Sequence, residues 1–527
     1  MRRLLVCVSL AALVVGGCQV KTQGNGGGGS GGAGNGGSTA PAVQLDINKL
    51  QAAVSDPASK RFYEARGWAA AWDDKQAKAL EAAIADAPRH AINPASFLKD
   101  ARAGASPEER EANRTKAALN YAHALAFGMV QPDKLFDVYT VPKPRIDLNA
   151  GLSEALQAGA VPKWLASLAP SDPEYQALSA EYLRYMARAP HDHPTPIAPG
   201  GKIDPGHKDS RIPQIVAALR TGGYLPAAPA GQASAQQPAQ SAAASTAYGG
   251  EIAGAVRKLQ ADYGIKPDGV IGVSTIEALN NGAAERARIL AVNLERRRWL
   301  DRAPPQTRID VNTAATFLRY WRDGQLAHQA RVVVGQPGWE TPELGSPITR
   351  LVANPDWTVP ESIEQKELRP KGAAYLKAQH IVEKNGRLVQ EPGPTNSLGQ
   401  VKFDMLNDQS IYLHDTPAKA LFASEERHSS HGCIRVQDAI GFARLIANDQ
   451  GLLDPFNKAL ATGKEGDVSL KTRIPVRLMY HSAYLDGGRI VFRPDPYGLD
   501  DKLAAALGLG NGAIRHHVVK KVDDIGP

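Results

Sequence analysis

Cysteine is scarce in this chain. Its 527 residues hold three: Cys7, Cys18 and Cys433. Two of them fall within the first eighteen residues, so Cys433 has no disulfide partner left in the body of the chain. Clustered basic charge is also missing. The formal net charge is +7, but no single run of lysine and arginine stands out. Nucleic-acid binding wants a concentrated basic patch, and that class of function is set aside. The apolar run at residues 4–15 is about twelve residues long, too short to span a bilayer as a helix. A metal-ligand set is lacking as well. His191-Asp192-His193 sits in a Pro-rich stretch with no third ligand nearby and reads as a solvated loop.

The N-terminus is informative. Arg2-Arg3, the apolar run and the small residues Gly16-Gly17 have the layout of a secretion signal over residues 1–17. Val15-Gly16-Gly17-Cys18 resembles a bacterial lipobox, in which Cys18 is lipidated and becomes the new N-terminus. Gln19, rather than Asp, follows it. This resembles the Gram-negative outer-membrane sorting pattern, so a periplasmic protein anchored in the inner leaflet of that membrane is expected. Residues 18–44 are rich in Gly, Ser and Asn and read as a flexible tether.

Cys433 is therefore an unpaired thiol in a chain bound for an oxidising compartment, which suggests a reactive group. It lies in Ser429-Ser430-His431-Gly432-Cys433-Ile434-Arg435-Val436. Its polar neighbours argue against apolar burial. A helix is expected over residues 436–449, starting three residues after Cys433. A helix N-terminus, an imidazolium and a guanidinium such as Arg435 each favour thiolate. The backbone amides of Gly432 and Cys433 are natural oxyanion donors. Three histidines compete as base: His428 and His431 beside the cysteine, and His414, which lies 19 positions upstream in Ile411-Tyr412-Leu413-His414-Asp415. Only a tertiary contact could bring His414 to the sulfur, and by sequence it holds a modest lead over His431.

Along the chain, residues 45–208 read as mostly helical. A short amphipathic helix at 212–219 precedes low-complexity residues 226–247, and residues 251–280 alternate short helices with tight turns at Asp268-Gly269 and Ile271-Gly272. From about residue 305 the pattern turns to short β-rich runs, at 308–311, 330–334, 349–354, 410–413 and 474–480. A polar excursion between Trp357 and Val401 holds an expected helix at 361–368 and a Pro392-Gly393-Pro394 loop. An insertion of that size reads as a lid. Residues 484–507 read as a hairpin followed by a helix.

Residues 209–285 resemble the small three-helix peptidoglycan-binding domain. Asp268-Gly269-Val270-Ile271-Gly272 with Thr275 is the most specific part. Ser430-His431-Gly432-Cys433-Ile434-Arg435, preceded by a histidine near a strand end, resembles the L,D-transpeptidase (YkuD-like) catalytic domain. Leu294-Glu295-Arg296, Arg298-Trp299-Leu300, Asn354-Pro355 with Trp357, Gly399-Gln400-Val401-Lys402-Phe403 and Phe492-Arg493-Pro494-Asp495 point to its large subgroup. The resemblance implies a multidomain α+β architecture. A helical scaffold occupies 45–208 and a peptidoglycan-binding domain 209–285. A β-rich catalytic domain spans 290–482, with a capping insertion at about 357–401. A C-terminal hairpin and helix fill 483–527, with the scaffold as candidate packing partner.

The same resemblance makes Cys433 the nucleophile and His414 the base. The Asp415 carbonyl would orient the imidazole. Arg435, Ser430, His431 and Tyr412 would contact substrate. Many relatives carry an aromatic shortly before the Ser-His-Gly-Cys run, where this chain has His428 and Ser429, so local substrate contacts differ. The implied reaction is acyl transfer between peptidoglycan stem peptides through a thioester, giving 3→3 cross-links, with no cofactor and with carbapenems acylating Cys433. An L,D-carboxypeptidase or cross-link hydrolase would use the same nucleophile. A catalytically silent lipid-anchored tether that binds wall peptide and glycan is the non-enzymatic alternative.

Overall fold

The computed structural model describes residues 45–191, 195–226, 245–510 and 512. Cys18, the tether, Asp192, His193 and most of the low-complexity insert lie outside them.

Helices occupy the first part of the described chain, and their ends follow from local chemistry. The longest, Pro107–Phe127, starts at a capping box in which Ser106 and Glu109 satisfy each other's backbone amides. It stops at Gly128, whose φ of 87° is costly for other residues. Three shorter helices, Ile212–Thr221, Gly250–Asp262 and Val273–Asn280, form the next unit. The Asp268–Gly272 turn there is held by one buried amide. Gln260 accepts from the Gly269 N–H at 2.9 Å and donates to the Val270 carbonyl at 2.9 Å.

The helix Ala283–Trp299 joins these units to the β-rich part, and most of its side chains are buried, charged ones included. Arg296 pairs with Asp500 at 2.5 Å, with both side chains 1 % exposed. Arg298 donates to the His90 carbonyl at 2.7 Å and pairs with Glu295. Arg297 reaches Asp172 at 2.6 Å. Buried charges are costly unless paired in this way, so the helix fixes scaffold, barrel and C-terminal segment in one arrangement.

Among the described residues fourteen strands follow: β1 (Arg308–Asn312), β2 (Phe317–Arg322), β3 (Gln325–Gly335), β4 (Leu344–Ala353), β5 (Trp357–Thr358), β6 (Ile381–Lys384), β7 (Arg387–Gln390), β8 (Val401–Met405), β9 (Leu413–His414), β10 (His428–Ser430), β11 (Ile434–Val436), β12 (Gly466–Met479), β13 (Ala483–Asp486) and β14 (Arg489–Phe492). The main sheet runs β10-β3-β11-β9-β8-β4-β12-β1-β2, and β2 also pairs with β3. That last pairing closes the ring, so the strands from β3 to β2 form a barrel with no free edge. β8 shows the alternation of such a wall. Val401, Phe403 and Met405 enter the core while Lys402 and Asp404 face out. The helix Ala439–Asp449 packs Phe442 and Ile446 into the same core.

Between β4 and β8 the chain leaves the barrel. There β5, β7 and β6 form a small sheet around Trp357, Val359, Ile363, Leu368 and Leu388. The C-terminal β13–β14 hairpin packs against the scaffold helix Pro173–Arg188, with the Tyr185 and Phe492 rings 6.4 Å apart.

Three local expectations change. The helix after Cys433 begins at Ala439, not Val436. Val436 pairs with Val332 on β3, and Asp438 sits in a left-handed conformation (φ 48°) as the N-cap. The 361–368 segment is one short turn followed by a π-helical stretch at Glu364–Leu368. The expected strand at 410–413 shortens to Leu413–His414, because Ser410 has a φ of 57°. Both β2 and β8 were absent from the sequence pattern.

Candidate active site

Two adjacent parallel strands build the site. On β9 and β11, Leu413 lies opposite Ile434 and His414 opposite Arg435. Leu413 and Ile434 are fully buried in the barrel core. Side chains alternate along a strand, so Tyr412 and His414 share the other face with Cys433 and Arg435. The Ile434 amide donates to the Tyr412 carbonyl at 3.0 Å, which sets Cys433 level with Tyr412. The imidazole is therefore a diagonal cross-strand neighbour of the sulfur.

His414 is fully buried, with Nδ1 2.5 Å from the Asp415 carbonyl oxygen and its ring 5.7 Å from that of Tyr412. A carbonyl accepts only, so Nδ1 carries the proton and Nε2 is the basic nitrogen. The Asp415 carboxylate is itself tied down. It pairs with Lys419 and accepts the Gln400 amide at 3.0 Å. The other two histidines face elsewhere. His428 bonds the Thr313 carbonyl at 2.9 Å through Nε2 and Glu426 through Nδ1. His431 Nε2 lies 2.8 Å from Glu367 in the insertion, and its ring packs on Trp339 at 5.1 Å.

Cys433 is 5 % exposed. Burial pushes its thiol up to about 11, against the pull of the Tyr412 backbone and hydroxyl and of Lys402 and Arg435. Two sequence arguments for a resting thiolate are thus corrected. The polar neighbours do not keep the sulfur exposed. The helix N-terminus lies beyond β11 and is too far along to act on it, since that field fades within a turn. The thiol instead lies 3.5 Å from the Ser410 carbonyl, which accepts its proton in a hydrogen bond.

The loop around the sulfur is held from both sides. Ser430 donates to the Cys433 carbonyl at 2.6 Å and accepts the Gly432 amide at 3.2 Å. Thr341 donates to the Gly432 carbonyl at 2.7 Å and accepts the Gly335 amide at 2.9 Å. Gly432 has a φ of 114°, open only to glycine without strain. Its amide is thus engaged with Ser430 and would have to leave that bond to serve an oxyanion.

The sulfur opens onto a cleft of about 1040 Å³. One wall is the insertion, with Trp357, Ile363 and Arg387, together with Lys402 and Asp404 of β8. The opposite end is formed by Phe136, Asp137 and Val138 of the scaffold and by Tyr497, Leu499 and Lys502 near the C-terminus. Tyr412, His431 and Gly432 line the middle. Ser430 and Arg435 do not line it, and both are fully buried. Direct substrate contact, expected of both, is corrected. Ser430 shapes the loop, and the Arg435 charge is felt at the sulfur from behind the surface. Thr341 and Trp339 escaped the sequence reading, because nothing in Trp339-Glu340-Thr341-Pro342 marks a turn that folds back onto the cysteine loop. Among the described residues no cluster of His, Cys, Asp and Glu could hold a metal ion.

Comparison with known proteins finds family matches on three segments of the chain. Residues 306–475 match the family model "L,D-transpeptidase catalytic domain" (YkuD). The chain carries an L,D-transpeptidase catalytic domain. Residues 57–181 match "Scaffold domain" and residues 210–279 "Putative peptidoglycan binding domain". A curated "Putative L,D-transpeptidase" of Haemophilus influenzae is 31% identical over 222 residues, 38% of this chain and 45% of that protein. The match thus spans less than half of that relative. Two solved structures align more loosely. One is an L,D-transpeptidase (Yku) from Stackebrandtia nassauensis, at 13% identity over 56% of this chain and 99% of that one, TM-score 0.21. The other is titled the Ldtfm-avibactam carbamoyl enzyme, at 15% identity over 33% of this chain and 49% of that one, TM-score 0.19. At these scores neither bears on the geometry of the site.

Proposed function

We propose that this protein is a peptidoglycan L,D-transpeptidase that forms 3→3 cross-links through a Cys433 thioester. The observation that carries the reading is the shared strand face. Cys433, the residue just before β11, and His414 of β9 lie on the same face of the paired strands, and the imidazole is oriented by the Asp415 carbonyl. In this reading His414 Nε2 takes the thiol proton as sulfur attacks the carbonyl that joins the L-centre of a diamino acid to a terminal D-Ala. The C–S bond forms, the C–N bond breaks, and the imidazolium returns the proton to the leaving amine. A side-chain amine of a second stem then attacks the thioester. The C–N cross-link forms, the C–S bond breaks, and His414 carries the amine proton back to sulfur.

A rested thiol near 11 fits this order of events, because the base is needed at the moment of attack. Tyr412, whose backbone and hydroxyl reach the sulfur, is assigned to hold donor and thiol in register. The Cys433 and Gly432 amides are assigned to the developing oxyanion, with Gly432 released from Ser430. The peptidoglycan-binding unit and a lipid anchor on Cys18 would hold the enzyme at the wall in the periplasm. Among the described residues no helix is long and apolar enough to cross a membrane.

The test is Cys433→Ala in the full chain. Wild type should gain the mass of one carbapenem and produce 3→3 dimers from wall peptides. The variant should do neither while still sedimenting with wall sacculi. An adduct on the variant would mean that the nucleophile is another residue.

A further inference from the structure

A cross-linking enzyme must seat two peptides, and the cleft has two chemically different ends. The insertion end balances Arg387 and Lys402 against Asp356 and Asp404. The scaffold end is acidic, with Asp137, Glu340 and Glu343 against Lys502 among the described residues that line it. An amine acceptor arrives as a cation, so the acidic end matches it in charge.

Glu343 is the unusual member of this end. It lines the cleft yet is only 6 % exposed, and its Oε2 has no hydrogen-bond partner among the described residues. A buried carboxylate oxygen left without a partner is costly and asks for a ligand. Arg296, which pairs with Asp500 at 2.5 Å, adds its charge to the Glu343 surroundings but makes no hydrogen bond to Oε2. Glu343 is also close to the reacting centre along the chain. It lies two residues from Thr341, which bonds the Gly432 carbonyl at 2.7 Å. Two residues span at most about 7 Å of extended backbone. Its own carbonyl accepts the Thr140 amide at 3.1 Å, so scaffold and barrel fix it together.

We propose that Glu343 is the acceptor-amine site, binding the side-chain ammonium of the second stem peptide and taking its proton before attack on the thioester. This rests on the transpeptidase reading above. The balance is simple. The ammonium gives one proton to Glu343, the neutral amine forms the C–N bond as the C–S bond breaks, its second proton passes through His414 to the departing sulfur, and the protonated carboxyl later releases its proton to water. Burial pushes the Glu343 carboxyl up to about 7, opposed by Arg296 and the Tyr480 amide and reinforced by Asp500. The Tyr139 hydroxyl also feels this charge. Glu343 therefore becomes a carboxylate as pH rises through about 7, and amine transfer should rise with it.

The test compares wild type, Glu343→Gln and Glu343→Asp in the full chain, with rates normalised to the amount of Cys433 that a carbapenem can acylate. A donor stem peptide is supplied with an acceptor bearing a side-chain amine, or with its hydroxyl isostere. Glu343→Gln should cut the ratio of amine transfer to thioester hydrolysis about tenfold or more and raise the acceptor KM. It should also lose the rise of transfer through neutral pH, and Glu343→Asp should recover part of each. An unchanged ratio would overturn the proposal. So would an equal fall in transfer and hydrolysis, the mark of a structural role. A wild type that forms no thioester would sink the transpeptidase reading itself, a result distinct from an altered ratio.

Discussion

The protonation state of Cys433 gives the sharpest prediction. Its thiol is pushed up to about 11 by burial. At neutral pH that leaves roughly one sulfur in ten thousand as thiolate, against roughly 3 % for a free cysteine near 8.5. Alkylation of the resting protein by iodoacetamide should thus be on the order of 300-fold slower than that of a small thiol at the same pH. The rate should keep climbing about tenfold per pH unit to at least about pH 10. The assay is the mass gain of the peptide carrying Cys433, followed against time at several pH values. A plateau below about pH 8.5 would refute the reasoning, because it would mean a standing thiolate–imidazolium pair. A protonated sulfur that is 5 % exposed would also resist oxidation in the periplasm proposed for it.

Other expectations concern the groups that hold the site. Ser430→Ala orphans the Cys433 carbonyl and the Gly432 amide, at about 1–3 kcal/mol each, and should lower the denaturant midpoint. Asp500→Ala leaves Arg296 charged and buried without its partner and should cost about 3–5 kcal/mol in the same assay. Gly399→Ala should slow acylation of Cys433 while leaving wall binding intact. Gly399 has a φ of 61°, and an added Cβ would collide with the Asp415 carboxylate beside the carbonyl that orients His414. Glu367→Gln should increase hydrogen exchange in residues 361–371, since it weakens the bond from the insertion to His431.

How much of this was legible beforehand differs by element. Cys433 could be found from scarcity alone, and the order of helical, three-helix and β-rich parts from periodicity and turn chemistry. Local chemistry also set the start of the capped helix Pro107–Phe127, because Ser106 and Glu109 are three residues apart, and the Asp268–Gly272 turn, whose Gln260 lies within about ten residues. The closed barrel was not legible, since the β2–β3 and β9–β11 pairings join segments whose partners no local pattern names. The three histidines were chemically equal in one dimension. Strand register put His414 on the sulfur's face, while tertiary hydrogen bonds hold His428 to Thr313 and His431 to Glu367. Burial was misjudged for the same reason. Ser430, Cys433 and Arg435 look polar and exposed as a string, but they are buried, with β3 paired beside them and the Thr341 turn bonded to their loop. Desolvation sums over everything that surrounds an atom, so the state of the sulfur was settled by the fold and not by its neighbours in the chain.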